Sequence, residues 1–147
     1  MILKSGAWVT VLVLLPNLVW MVLPKDEPIG PGDEPLWLTI VENAGRIAVL
    51  LIPFFYALDF SKRFSVPVTI GMGVALAFYY AAWIRYFAGG QAAHLFSAPL
   101  LGISLPMAVM PVLFYLLSAY LMGSWPMLVA SLWFGAAHIW ISALTLR

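Results

Sequence analysis

Hydrophobic residues in this chain come in long runs, with little of the alternation or helical spacing that marks half-buried elements. Five runs stand out, at about 7–23, 36–59, 67–88, 106–122 and 126–146. A helix crossing the hydrocarbon of a bilayer needs roughly 17–25 residues, so the first and fourth runs are at the short end. Polar segments separate them. "LPKDEPIGPGDEP" (23–35) is rich in Pro, Gly and acids and reads as a solvent loop. "FSKRFSVP" (60–67) reads as a short basic turn, and Gly123-Ser124-Trp125-Pro126 as a tight one. "AGGQAAHLFSAPLLGISLP" (88–106) is longer and mostly apolar, and either lies along an interface or dips into the membrane. The pattern predicts an all-α fold: a polytopic membrane protein whose residues 1–147 form a single integral domain, a five-helix transmembrane bundle.

Composition agrees with the pattern. The 147 residues are 64% hydrophobic and only 9% charged, with a mean hydropathy of +1.01. Soluble domains carry roughly a quarter charged residues, so a soluble fold would have too little polar surface to cover its core. The expected surroundings are therefore lipid. The net charge of +1, without a Lys/Arg stripe, gives no nucleic-acid footprint. The absence of cysteine removes disulfides, thiolate metal sites and cysteine nucleophiles. The first run follows Lys4 as a signal peptide would, but it ends in the bulky Met21-Val22-Leu23-Pro24 and not in small residues. It reads as a retained span. Lys4, Lys62 and Arg63 fall on one side of the expected bundle, and Lys25, Arg85 and Arg147 on the other. The only basic cluster in a short loop is Lys62-Arg63, which assigns the N-terminus to the cytoplasm of a plasma or inner membrane.

Proline refines the picture. Pro67, Pro106 and Pro126 suit the first position of a helix. Pro16, Pro53 and Pro111 fall inside runs, where each removes a backbone donor and favours a kink. No internal repeat is visible. Five spans cannot divide into two equal halves, which argues against an inverted-repeat transporter within one chain.

Candidate chemistry begins in "VENAGRIAVLLIPFFYAL" (41–58), where Glu42, Asn43 and Arg46 interrupt an apolar run. Glu42 and Arg46, four apart, share a helix face in the favourable acid-before-base order. From a start near Leu36, they lie about 9 and 15 Å along the helix. Isolated charges at that depth cost roughly 3 kcal/mol on insertion scales, so the pair is expected to neutralise itself and face the bundle interior. Two readings follow: a latch between helices, or a ligand or proton site to which Asn43 adds hydrogen-bonding capacity. Tyr79, Trp83 and Tyr86 recur on one face of the third run, as core, interfacial anchor or ligand wall. Arg85 beside them is expected to snorkel to the headgroups. Ser131, His138 and Ser142 share a face of the last run, with His138 near its middle, and His94 lies in the long loop on the same side. The candidate ligand-binding set is therefore Glu42, Asn43, Arg46, Tyr79, Trp83 and His138, with no metal or cofactor expected.

"FGAAH" (134–138) resembles the F-x-x-x-H element of the intramembrane CAAX-protease-like family, and Glu42 with Arg46 resembles the end of its E-E-x-x-x-R element. Val41 occupies the position of that family's first glutamate, and His138 is the last histidine, so protease activity is not carried over. Size, five runs and seven tryptophans are similar to the tryptophan-rich translocator proteins in composition alone. Three function classes remain open. The first is a bundle that binds or passes a small molecule or lipid through a polar cavity. The second is a membrane-embedded enzyme using Glu42 and His138. The third is an accessory subunit that meets an oligomeric copy or a partner membrane protein through small residues such as Gly71, Gly73, Ala75 and Ala77.

Overall fold

The computed structural model describes residues 4–23 and 34–144. Helix accounts for 78% of the structure, with no strand among the described residues. The helices are α1 (Ala7–Val22), α2 (Leu36–Leu51, continued by a 3-10 turn at Ile52–Phe55), α3 (Ser65–Ala88), the short α4 (Ala93–Ser97), α5 (Pro106–Met122) and α6 (Trp125–Leu144). Leu36–Phe55, α3 and α6 are long and apolar enough to cross a membrane, and α1 and α5 are apolar but shorter. No more than a third of the most apolar window of each long helix is buried within the protein. The rest is greasy surface that water would penalise and lipid would not.

The helices meet in a fixed order. α5 packs between α3 and α6, and α6 packs on α2. Gly45 and Gly135 make the two α6 contacts close. A Cβ on Gly45 would lie 2.9 Å from Phe134 Cα, and one on Gly135 would strike Val112. On α3, Gly71 and Ala75 face inward, whereas nothing lies within 4 Å of the space beside Gly73.

α1 closes the bundle mainly through hydrogen bonds. Tyr79 Oη donates to the Val13 carbonyl (3.2 Å) and Tyr80 Oη to that of Leu12 (2.7 Å), while Trp20 Nε1 donates to Tyr86 Oη (3.3 Å). The partners are 66 to 68 residues apart, so α1 and α3 run parallel. Pro16 explains one of these bonds. Its missing N–H orphans the carbonyl four residues back, at Leu12, and the Tyr80 hydroxyl takes that place. A similar repair occurs on α2. In a 3-10 turn the carbonyl of Leu50 would be paired with the N–H of Pro53, which has none, and Thr10 Oγ1 donates to it instead (2.8 Å).

One end of the bundle is sealed by residues 56–64. Gly6 N–H donates to Tyr56 O and Leu58 N–H to Lys4 O (2.9 and 2.7 Å), in a contact tight enough that a side chain at Gly6 would strike the Tyr56 carbonyl. Gly123 ends α5 with φ +61, a conformation that suits glycine. Lys62 Nζ donates to the Tyr120 carbonyl (2.6 Å), placing a cation at the negative pole of α5. Nearby, hydrogen bonds from the Ser61 hydroxyl and N–H hold the exposed Asp59 carboxyl below the usual range.

Several sequence boundaries move. The second apolar run loses α-helical form after Leu51, because Pro53 converts its end into the 3-10 turn. α3 starts at Ser65, so Pro67 is its third residue, not its first. Pro126 is the second residue of α6, which Ser124 caps by accepting from Met127 N–H at 3.1 Å. Arg85 binds the loop that follows α3. Its Nη1 and Nη2 donate to the carbonyls of Pro99 and Ala98 (2.8 and 2.6 Å). This folds the long loop back, so that Phe96 of α4 packs edge-on against Trp83 and Tyr86.

The Pro16–Tyr80 account predicts a specific coupling. Tyr80→Phe leaves the Leu12 carbonyl unpaired and should cost roughly 1–3 kcal/mol of stability. In a Pro16→Ala background the backbone supplies the missing N–H, and the same change should cost clearly less. Thermal unfolding in detergent measures both. An equal cost in the two backgrounds would contradict the account.

Candidate functional site

The buried stripe of α2 is Leu38, Glu42, Gly45 and Val49. A carboxylate therefore stands in the middle of an otherwise apolar face. Gly45, one turn further on, lets α6 approach closely, and the approach brings His138 to Glu42. His138 Nδ1 lies 2.8 Å from Glu42 Oε1. Arg46 Nη2 donates to the same oxygen. Opposite an ionised carboxylate, which only accepts, Nδ1 would be the donor. The imidazole stacks on Phe134 (centroids 4.7 Å, planes 17° apart). Beside it, the His138 backbone carbonyl accepts from Ser142 Oγ (2.7 Å), and Trp133 Nε1 donates to Val41 O across the α2–α6 seam (3.1 Å).

Glu42, Arg46, Phe134, His138 and Ser142 border a cavity of about 560 Å³ among α1, α2, α3, α5 and α6. It exists because α1 touches the other helices only sparsely, while α3, α5, α6 and α2 pack tightly in series. Glu42, Arg46 and His138 lie on one side of it, and Asn17, Tyr79 and Trp83 belong to the facing helices. Asn17 Nδ2 donates to Tyr79 Oη (2.7 Å), which fixes that hydroxyl at the α1–α3 seam. The Trp83 indole N–H is buried near Tyr79 Oη, at a geometry short of a hydrogen bond. Phe96 and Leu105 bring the folded-back loop over the same space. Leu105 takes φ +53 immediately before Pro106, an uncommon backbone state for a leucine.

Exposure separates the three ionisable groups. The Glu42 side chain is 5% exposed, that of His138 23% and that of Arg46 48%. The acid is sunk between helices, and the guanidinium is the charge that the cavity meets.

Five of the six candidates from the sequence, Glu42, Arg46, Tyr79, Trp83 and His138, line this one cavity. Asn43 does not; it is exposed and outside the lining, because its position turns it off the Glu42 face. Asn17 and Tyr115 join the lining. A polar residue inside the first run was the only sequence sign of Asn17, and Tyr115 had none. Ser131 is fully buried and donates to the Met127 carbonyl (2.7 Å), apart from the cavity. His94 is exposed on α4. Among the described residues no group of three His, Cys, Asp or Glu could hold a metal ion. Chemically, the arrangement offers a carboxylate–imidazole contact through which a proton can pass, and a half-exposed guanidinium that can hold an anion.

No family model, no curated protein and no solved structure matches this chain. The functional reading therefore comes from the cavity alone.

The shared oxygen predicts non-additive stability. Glu42→Gln and Arg46→Leu should each lower the unfolding temperature, since each strands a charge or a donor in low dielectric. The double variant should be milder than the sum, by roughly 0.5–3 kcal/mol of coupling. Strict additivity in thermal or chemical unfolding would mean that the pair does not interact in the folded protein.

Proposed function

We propose that the chain is a five-span membrane protein that binds, or passes, a small amphiphilic molecule or lipid in an intramembrane polar cavity. The observation that carries this reading is the cavity itself: an off-centre space bordered by the chain's interior ion cluster and walled mostly by apolar and aromatic side chains. Small-molecule sites occupy roughly 300–1,000 Å³ and combine such walls with a few converging polar groups. A helix latch alone would need the charges but no space beside them.

Helix directions support the five spans. α1 and α3 run parallel, and the pairings of Thr10 with Leu50, Glu42 with His138 and Gly135 with Val112 make α1–α2, α2–α6 and α5–α6 antiparallel. α1 and α5, of 16 and 17 residues, reach about 24 and 26 Å, short of an average hydrocarbon core, and cross where the bilayer thins locally. Lys4 and Lys62-Arg63 then share the cytoplasmic face, and the cavity opens toward the other one. Reporter fusions after residues 29 and 147 should mark one side and a fusion after residue 62 the other; opposite reports from 29 and 147 end the five-span reading.

Ligand binding has its own test. Protein extracted in mild detergent should carry a bound mass in native mass spectrometry. Leu14→Trp, which fills the cavity from α1, should lose that mass while keeping its elution volume and helix content. A wild-type protein without any bound species, unstabilised by added amphiphiles, counts against the reading. A second reading, a membrane-embedded enzyme, is favoured by one contact, the 2.8 Å Glu42–His138 pair. It requires turnover that Glu42→Gln and His138→Gln both abolish with the fold intact.

A further inference from the structure

We infer that the ligand of this cavity is anionic: an apolar compound of small-molecule size whose single carboxylate or phosphate group lies innermost, against Arg46. This inference depends on the ligand-binding reading above and adds the chemistry of the headgroup.

Glu42 is nearly inaccessible, and its Oε1 is already shared by Arg46 and His138. Arg46 is half-exposed, and its one hydrogen bond among the described residues is from Nη2 to Glu42. A guanidinium has five N–H donors in a planar fork, so most of its hydrogen-bonding capacity remains for a partner with two or three acceptor oxygens. Carboxylate and phosphate fit that fork in bidentate fashion, and a hydroxyl or an ester carbonyl does not.

Other charges near the cavity do not reverse this preference. Glu34 also borders it, but from the segment that precedes α2, whose first residue lies about 15 Å of helical rise from Arg46. The first turn of α5 borders the same space through Met107 and Ala108. Its positive pole adds a modest field of the same sign as Arg46. The Tyr79 hydroxyl is committed to Val13 and Asn17.

Depth selects the kind of anion. Arg46 lies about 15 Å along α2 from its first residue, so the headgroup must travel inward past aromatic and aliphatic walls. A single-chain acid can do this. A diacyl phospholipid, whose phosphate is held at the interface by two chains, is a poorer fit.

The test uses the whole protein in phosphatidylcholine nanodiscs, with unfolding temperature and intrinsic tryptophan fluorescence as readouts. Probes are decanoate, decyl phosphate, methyl decanoate, decanol and dioleoyl phosphatidic acid. Decanoate and decyl phosphate should bind saturably, at least tenfold tighter than the ester and the alcohol. That preference should vanish in the charge-neutral double variant Glu42→Gln with Arg46→Met, and Arg46→Lys should retain part of it. Saturable binding of phosphatidic acid, equally sensitive to the double variant, supports the anion and assigns it to a membrane lipid. If methyl decanoate binds as tightly as decanoate to the wild type, the anionic inference fails while the cavity reading survives. If no probe binds, both fail. The wild-type comparison needs no variant, so a misfolded mutant cannot mask the answer.

Discussion

A carboxylate buried in an apolar helix face must be answered, and Glu42 is answered twice at one oxygen. Arg46 reaches it from one turn along α2, and His138 reaches it from α6. Much of the arrangement follows from that requirement. The imidazole can meet the acid only if α2 and α6 cross closely, and Gly45 against the Phe134 backbone allows the crossing. Phe134 then both defines the crossing and supports the ring of His138 by stacking. Arg46, held to Glu42 through Nη2, is half-exposed and borders the cavity. The ion cluster is thus a result of that crossing, and the cavity lies beside it.

The second constraint is backbone polarity in an apolar setting. Pro16 and Pro53 both leave carbonyls without a helical donor. Tyr80 and Thr10 restore partners to Leu12 and Leu50 across helix–helix seams. These repairs are also the contacts that tether α1, the helix with the least close packing. A helix held by a few directional bonds, not by an interdigitated face, leaves space beside it. The prolines therefore connect to the cavity by a physical route: they create the bonds that position α1 without requiring it to pack flat.

Much of the fold was legible because apolar runs and breakers are local signals. Each of the five runs corresponds to a helix to within a few residues at most ends, and the main slip, the end of α2, is where Pro53 changes the helix type. α4 was not legible, since its order comes from Arg85 and the aromatic face of α3, neither of which the loop sequence encodes. Within the candidate site, the i, i+4 relation of Glu42 to Arg46 is written in the chain. The 96-residue separation of Glu42 from His138 is bridged only by tertiary packing. Asn43 shows the limit of reasoning by depth alone: it shares the level of Glu42 but not its face, and one residue of helix rotates it away from the cavity by about 100°.

The cavity beside the ion cluster should be hydrated and the seam below it solid, a contrast that cysteine labelling reads directly because the chain has no native cysteine. Ser142 borders the cavity, whereas Ser131, on the same helix, is fully enclosed. Single Ser142→Cys and Ser131→Cys variants, treated in native membranes with a small polar methanethiosulfonate, should differ at least tenfold in labelling rate. The account predicts rapid modification at 142, slowed when Leu14→Trp is added, and none at 131 until the protein is denatured. Equal protection of both positions in the folded protein would contradict it.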